Sequence, residues 1–221
     1  MPITAAFFDV DGTCIKSNAL EHYLYLSTTD ASLINKWKLI LRIVIQMPYY
    51  ILLDRINRSE FNKVFYRNYS YMAVEKLRDL SEKYISQKLV HRLFPEAKDC
   101  IEQHKKTGDL VVLVSGSVDF VIAPLAKFLG ADNVLCVSLK SNNGYYTGEI
   151  IGDSITDEGK AIAIKHIAEN LGIDLSQSYA YGDSISDLPM LKCVGNPVAV
   201  NPDHNLNKIA IQKGFSIKYW S

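Results

Sequence analysis

Short apolar runs that stop at polar turns recur along this chain, and they constrain its fold more than any other feature. Residues 5–10 (AAFFDV), 109–114 (DLVVLV), 133–137 (NVLCV) and 178–181 (SYAY) each read as a buried strand, with further strands over 197–200 and 215–219. Helical patterns lie between and after them, over 95–106, 119–129, 158–171, 187–194 and 204–213. Strands that alternate with helices in this way build an α/β fold around a parallel sheet. Asn142-Asn143-Gly144, set between SLKS and YYTGEI, adds a hairpin turn.

One stretch breaks the alternation. Residues 18–93 are poor in glycine and read mostly as helix, and they are too long for an ordinary crossover. They are expected to form a helical cap inserted between the first two strands, leaving residues 1–17 and 94–221 as the core. Such a cap would cover the carboxyl edge of the sheet, where open α/β folds bind ligands. Within it, residues 39–53 (LILRIVIQMPYYILL) are very apolar, but Arg42, Gln46 and Pro48 interrupt them. They also fall short of the roughly 20 residues that a spanning helix needs. A helix packed within the cap is expected there, with no transmembrane segment and peripheral lipid contact as the lesser alternative.

Hydrophobic residues make up 48% of the 221 and charged ones 22%, which favours a sizeable core over disorder. Lys+Arg and Asp+Glu both number 24, so net charge gives no whole-chain support for nucleic-acid binding, and no nucleic-acid partner is expected. Cys14, Cys100, Cys136 and Cys193 are scattered without CxxC spacing and read as reduced thiols of a cytoplasmic protein. The start, MPITAAFFDVDGT, lacks the basic-then-apolar layout of a signal peptide. His22, His91, His104, His166 and His204 show no ligand clustering and read as surface or structural.

The strand ends carry the chemistry. Asp9 and Asp11 stand two apart where the first strand leaves the sheet, so both side chains can address one substrate. Ser115-Gly116-Ser117 reads as a turn before a helix that starts near Asp119, and hydroxyl and backbone N–H groups there suit a phosphate. Asp183 and Asp187 (GDSISD) follow a strand at i and i+4, which suits a hard cation with oxygen ligands or the N-terminus of a helix. Lys160 opens the helix over 158–171.

Taken together, FFDVDGT, VVLVSGS, Lys160 within EGKAIAI, and YGDSISDLPML resemble the four motifs of the haloacid dehalogenase superfamily. The likeness is greatest to the phosphoserine-phosphatase-like branch, whose helical cap lies between the first two motifs. The resemblance implies a Rossmann-like core, Mg²⁺ and a phosphatase acting on a small-molecule phosphate ester. It implies Asp9 as nucleophile, Asp11 as general acid then base, and Ser115, Gly116 and Lys160 as phosphate ligands. It also implies Asp9, Asp183 and the Asp11 backbone carbonyl at the metal, with Asp187 steadying that site. For Asp11 to give up a proton it must be protonated, and like-charge repulsion raises a carboxyl pKa in that direction.

Phosphoserine phosphatases carry a Glu just after DxDGT and a cap Arg. The Glu position falls on Asn18 here, and Arg58 and Arg67 match the Arg loosely. Asn18, Tyr66 and Arg67 are therefore the candidate specificity residues. Trp37, Phe61, Phe65, Tyr49, Tyr50, Tyr66 and Tyr69 either pack the cap helices together or line a lid for an apolar, lipid-like leaving group. Three alternatives stay open: a phosphotransferase using the same phosphoenzyme, a phosphoserine phosphatase, and a non-catalytic, membrane-associated binding protein.

Overall fold

The computed structural model describes residues 2–221. Its sheet has seven strands in the order β4-β3-β2-β1-β5-β6-β7. These are β1 (Ala5–Asp9), β2 (Leu110–Val118), β3 (Asn133–Asn142), β4 (Tyr145–Ile151), β5 (Tyr179–Gly182), β6 (Asn196–Val200) and β7 (Ser216–Lys218). All neighbours run parallel except β3 and β4, which form the antiparallel hairpin expected at Asn142-Asn143-Gly144. Asn143 and Gly144 take the left-handed backbone that a tight turn requires, at φ 49° and 81°.

Every residue of β1 is buried. Its apolar run is continuous because both faces of a parallel sheet are covered. Successive side chains point to opposite faces, so Ala6 and Phe8 join one core and Ala5 and Phe7 the other. The first core is roofed by α5 (Pro95–Thr107) and α6 (Asp119–Leu129). The second is roofed by α7 (Glu158–Leu171), the short α8 (Leu188–Leu191) and α9 (His204–Lys213).

Four helices lie between β1 and α5: α1 (Ala19–Thr28), α2 (Leu33–Ile56), α3 (Arg58–Tyr66) and α4 (Val74–Gln87). Aromatic side chains join these helices to α6. Tyr23, Phe65 and Tyr69 meet edge to face, and Tyr69 passes the contact on to Phe120 of α6 at 5.4 Å between ring centroids. The helix α4 buries Val74, Leu77, Leu80, Tyr84 and Ile85 along one stripe, the usual arrangement for a helix on a core. In α2, by contrast, only Ile43 and Tyr50 of its 24 residues are buried. Among the described residues no helix is long and apolar enough to cross a membrane.

Two local expectations need correction. Ser115-Gly116-Ser117 is not a turn but part of β2, which continues past a register shift against β3 between Val114 and Val118. The helix expected over 187–194 shrinks to a single 3₁₀ turn, Ile185–Asp187, followed by four residues of α8.

Candidate active site

The carboxyl ends of β1, β2 and β5 meet the first turn of α7 around a cavity of about 250 Å³. β1 ends at Asp9, whose buried carboxylate accepts from the Lys160 ammonium at 2.5 Å and from the Thr13 hydroxyl at 2.9 Å. Lys160 also donates to Asp187 at 2.6 Å. The other oxygen of Asp187 accepts from the backbone N–H groups of Asp183 and Ser184 and from the Ser184 hydroxyl, each at 3.1 Å. This hydrogen bonding folds the GDSISD turn back on itself and fixes where Asp183 points. Gly12 permits the approach: it sits at φ 92°, and a β-carbon there would collide with the Asp183 carboxylate.

Asp9, Asp183 and Asp187 each bring an oxygen within 4.8 Å of the others. Burial, then Asp187, pushes Asp9 up to about 6, against the pull of Lys160. Burial, then Asp9 and Asp187, pushes Asp183 up to about 8. For Lys160 burial acts to lower the pKa, but Asp187 and Asp9 outweigh it and hold the ammonium above its usual range. Three close carboxylates against one ammonium leave negative charge uncompensated. An all-oxygen donor set with that excess fits a hard divalent cation such as Mg²⁺.

Asp11 departs from expectation. Its carboxylate points away from this cluster and accepts from Nε2 of His22 at 2.8 Å, from Ser17 at 2.8 Å and from Ser117 at 2.6 Å. Burial alone would raise its pKa, yet the His22 ring and these hydrogen bonds outweigh burial and hold it well below the usual carboxylate range. The like-charge repulsion expected from sequence is thus overruled by donors. His22 itself is buried, and its other ring nitrogen lies 3.2 Å from the Tyr84 hydroxyl. It is neither a surface residue nor remote from the site.

The other candidates separate. Ser115 and Gly116 line the cavity, with the Ser115 hydroxyl accepting from the Ser117 N–H at 3.0 Å. Asn18 also lines it, but its side-chain oxygen caps α1 through the Glu21 N–H. Tyr66 and Arg67 are not among the lining residues: Tyr66 is buried and donates to the Gly116 carbonyl at 2.5 Å. In their place α3 contributes Arg58, Phe61 and Asn62. From sequence, Arg58 stands out only as a loose match to the cap Arg and Phe61 only as one of several cap aromatics, while Asn62 has no mark beyond a helical spacing shared by many helices.

A family profile of haloacid dehalogenase-like hydrolases matches residues 6–192. A probable phosphatase of Mycobacterium tuberculosis is 34% identical over 225 residues, spanning 99% of this chain and 76% of that protein. A phosphoserine phosphatase of the same organism is 27% identical over 224 residues, spanning 97% and 70%. Among solved structures, a Bordetella pertussis protein of unknown function matches with a TM-score of 0.84 at 23% identity, over 99% of each chain. A substrate-bound phosphoserine phosphatase matches with 0.71 at 18%, over 99% of this chain and 93% of that one, a likeness of fold. The chain therefore belongs to the haloacid dehalogenase-like hydrolase family, as a phosphatase of its phosphoserine-phosphatase-like branch.

Proposed function

We propose that this phosphatase hydrolyses a small phosphomonoester through a phosphoryl group carried on Asp9, with Mg²⁺ as cofactor, residues 1–17 and 94–221 as core and residues 18–93 as cap. The observation that carries the reading is Asp9 at the cavity, one oxygen on Lys160 and the other on Thr13, beside Asp183 and Asp187. Asp9 attacks phosphorus, the bond from phosphorus to the leaving oxygen breaks, and that oxygen takes a proton from Asp11. Water then attacks the same phosphorus, Asp11 accepts its proton, and Asp9 is released. Two moderate barriers replace one high one. Asp11 is ionised beside its three donors, ready for the second half; the arriving phosphate charge raises its pKa for the first. Asp9, Asp183 and the Asp11 carbonyl would hold Mg²⁺, with Asp187 steadying them, and the ion supplies charge neutralisation for the phosphoryl group. Ser115, the Gly116 backbone and Lys160 orient that group.

The leaving group would lie against Asn18, Ala19, Arg58 and Phe61. This lining offers no carboxylate to an ammonium, since Asn18 stands at the Glu position and Glu21 pairs with Arg92 at 2.6 Å. An unpartnered ammonium is costly to desolvate, which argues against phosphoserine and for a leaving group with an apolar part. Four free cysteines support a reducing, cytoplasmic setting. The test is Asp9→Asn, expected to lose at least about a thousandfold in kcat/KM with folding intact. EDTA should silence the wild type and Mg²⁺ restore it. Retention of a few per cent of activity by Asp9→Asn, or full activity without metal, would falsify the mechanism. Phosphoserine emerging as the best substrate of a broad panel would overturn the substrate reading alone.

A further inference from the structure

Helix α2 is apolar on the side that faces away from the protein. At 3.6 residues per turn, Leu33, Trp37, Leu41, Val44, Ile45 and Leu52 fall on one arc of roughly 120°, and each is more than half exposed. The residues that α2 buries, Ile43 and Tyr50, lie on the opposite side. The exposed arc amounts to roughly 700 Å² of apolar surface, above the roughly 300–600 Å² of the largest patch on a typical monomer.

Charge and aromatic placement say what covers it. Lys36 and Lys38 flank the arc on its two sides, and Arg55 emerges within it near the C-terminal end. The one acid of α2, Asp54, lies outside the arc on the Lys36 side, about five turns further along, and is 3.7 Å from Arg58. Trp37 and Tyr49 are exposed, side chains suited to the boundary between headgroup and acyl chain. A twofold contact would set this surface against itself, pressing Arg55 into an apolar arc that holds no acid to answer it. An anionic bilayer meets the same rim with opposite charge and the same arc with hydrocarbon.

We infer that the outer face of α2 docks on an anionic lipid surface, lying in its plane. The docked helix ends at Ile56, and after Asn57 the chain reaches Arg58, which lines the active-site cavity. The catalytic cavity is thereby tethered at the membrane surface. This docking does not depend on the proposed catalytic mechanism, and Asp9→Asn should bind vesicles as the wild type does.

The test is co-sedimentation of the full chain with phosphatidylcholine vesicles, with and without phosphatidylglycerol. Fluorescence reads the same event, because Trp37 is exposed and the other tryptophan, Trp220, is buried. The docked state predicts sedimentation with the anionic vesicles only, a blue shift of Trp37 and weakening by salt. Lys36→Glu with Lys38→Glu should weaken binding by on the order of tenfold or more. Leu41→Glu with Ile45→Glu should abolish it while hydrolysis of a soluble substrate is unchanged. Absence of binding to either vesicle would overturn the inference, as would binding that ignores both lipid charge and the lysine changes. A wild-type dimer that Leu41→Glu dissociates, without vesicle binding, would assign the face to a second copy instead.

Discussion

The carboxyl edge of the sheet and the outer face of α2 are built on opposite principles. At the sheet edge, charged groups are buried and nearly every one is answered by a named partner: Lys160 by Asp9 and Asp187, Asp11 by His22, Ser17 and Ser117. On α2, apolar groups are exposed and none of the described residues covers them. The first region takes its free energy from interactions inside the molecule, so changing one member disturbs the rest. The second is energetically detached from the fold, which leaves its residues free to serve something outside it.

The sharpest way to break this contrast is to remove the central partner. Lys160→Met leaves Asp9 and Asp187 facing each other without a cation. In metal-free buffer at neutral pH it should cost about 3 kcal/mol of stability and abolish turnover, as read by urea unfolding and phosphate release. Unchanged stability would mean that the bridge is not a structural tie. Next in size is a comparison inside the insertion. Leu77→Ala in α4, a buried position, should cost about 2–4 kcal/mol, whereas Leu41→Ala in α2 should stay within about 0.5 kcal/mol. Similar losses at both positions would show that α2 is covered in solution.

A smaller effect is expected at His22. His22→Ala should lower kcat by about ten- to a hundredfold with KM little changed, and His22→Gln, which keeps an N–H donor, should recover part of it. A purely structural His22 would lower stability instead and show no such recovery. The smallest effect lies at the far end of β2. Asp109 accepts from His104 at 2.7 Å, from Thr107 at 3.0 Å and from Thr4. Burial opposes ionisation there, but these donors outweigh it and lower the pKa. A lowered folded pKa gives stability that is present above the unfolded value, about 4, and is lost as pH falls through the folded one. The gap in Tm between wild type and Asp109→Asn should therefore narrow as the pH drops from about 5 to about 3. A gap that widened in acid would reverse the sign.

What could be read from sequence follows the same division. Asp9, Asp11, Asp183 and Asp187 lie in short motifs at the ends of apolar runs, so local spacing alone brings them to one edge. Lys160 was legible only as part of the set. His22 and Asn62 arrive through the folding of the insertion with no motif to mark them, and Arg58 and Phe61 were legible only as a loose match to a cap Arg and as one aromatic among several. Tyr66 and Arg67 failed as lining residues because the turn at Arg67–Tyr69 belongs to the aromatic cluster, which draws Tyr66 to the Gly116 carbonyl. Ser115-Gly116-Ser117 reads as a turn by composition, but the shift in pairing against β3 lets the strand continue through it. For α2, the pattern of apolar residues shows a helix; which side faces water depends on the neighbours, and those are tertiary.

The position of β1 has a bearing on how the chain comes together during synthesis. Ala5 pairs with Leu110, and Ala6 with Tyr179, so the central strand has no partner until half the chain has been made. Closing loops of that length is slow compared with forming local helices, and α1 to α4 can coil while β1 waits. The segment that bears Asp9 is thus made well before the strands that enclose it on both sides. Until then Phe7 and Phe8 are exposed to whatever else is nearby, which makes β1 prone to aggregation during synthesis.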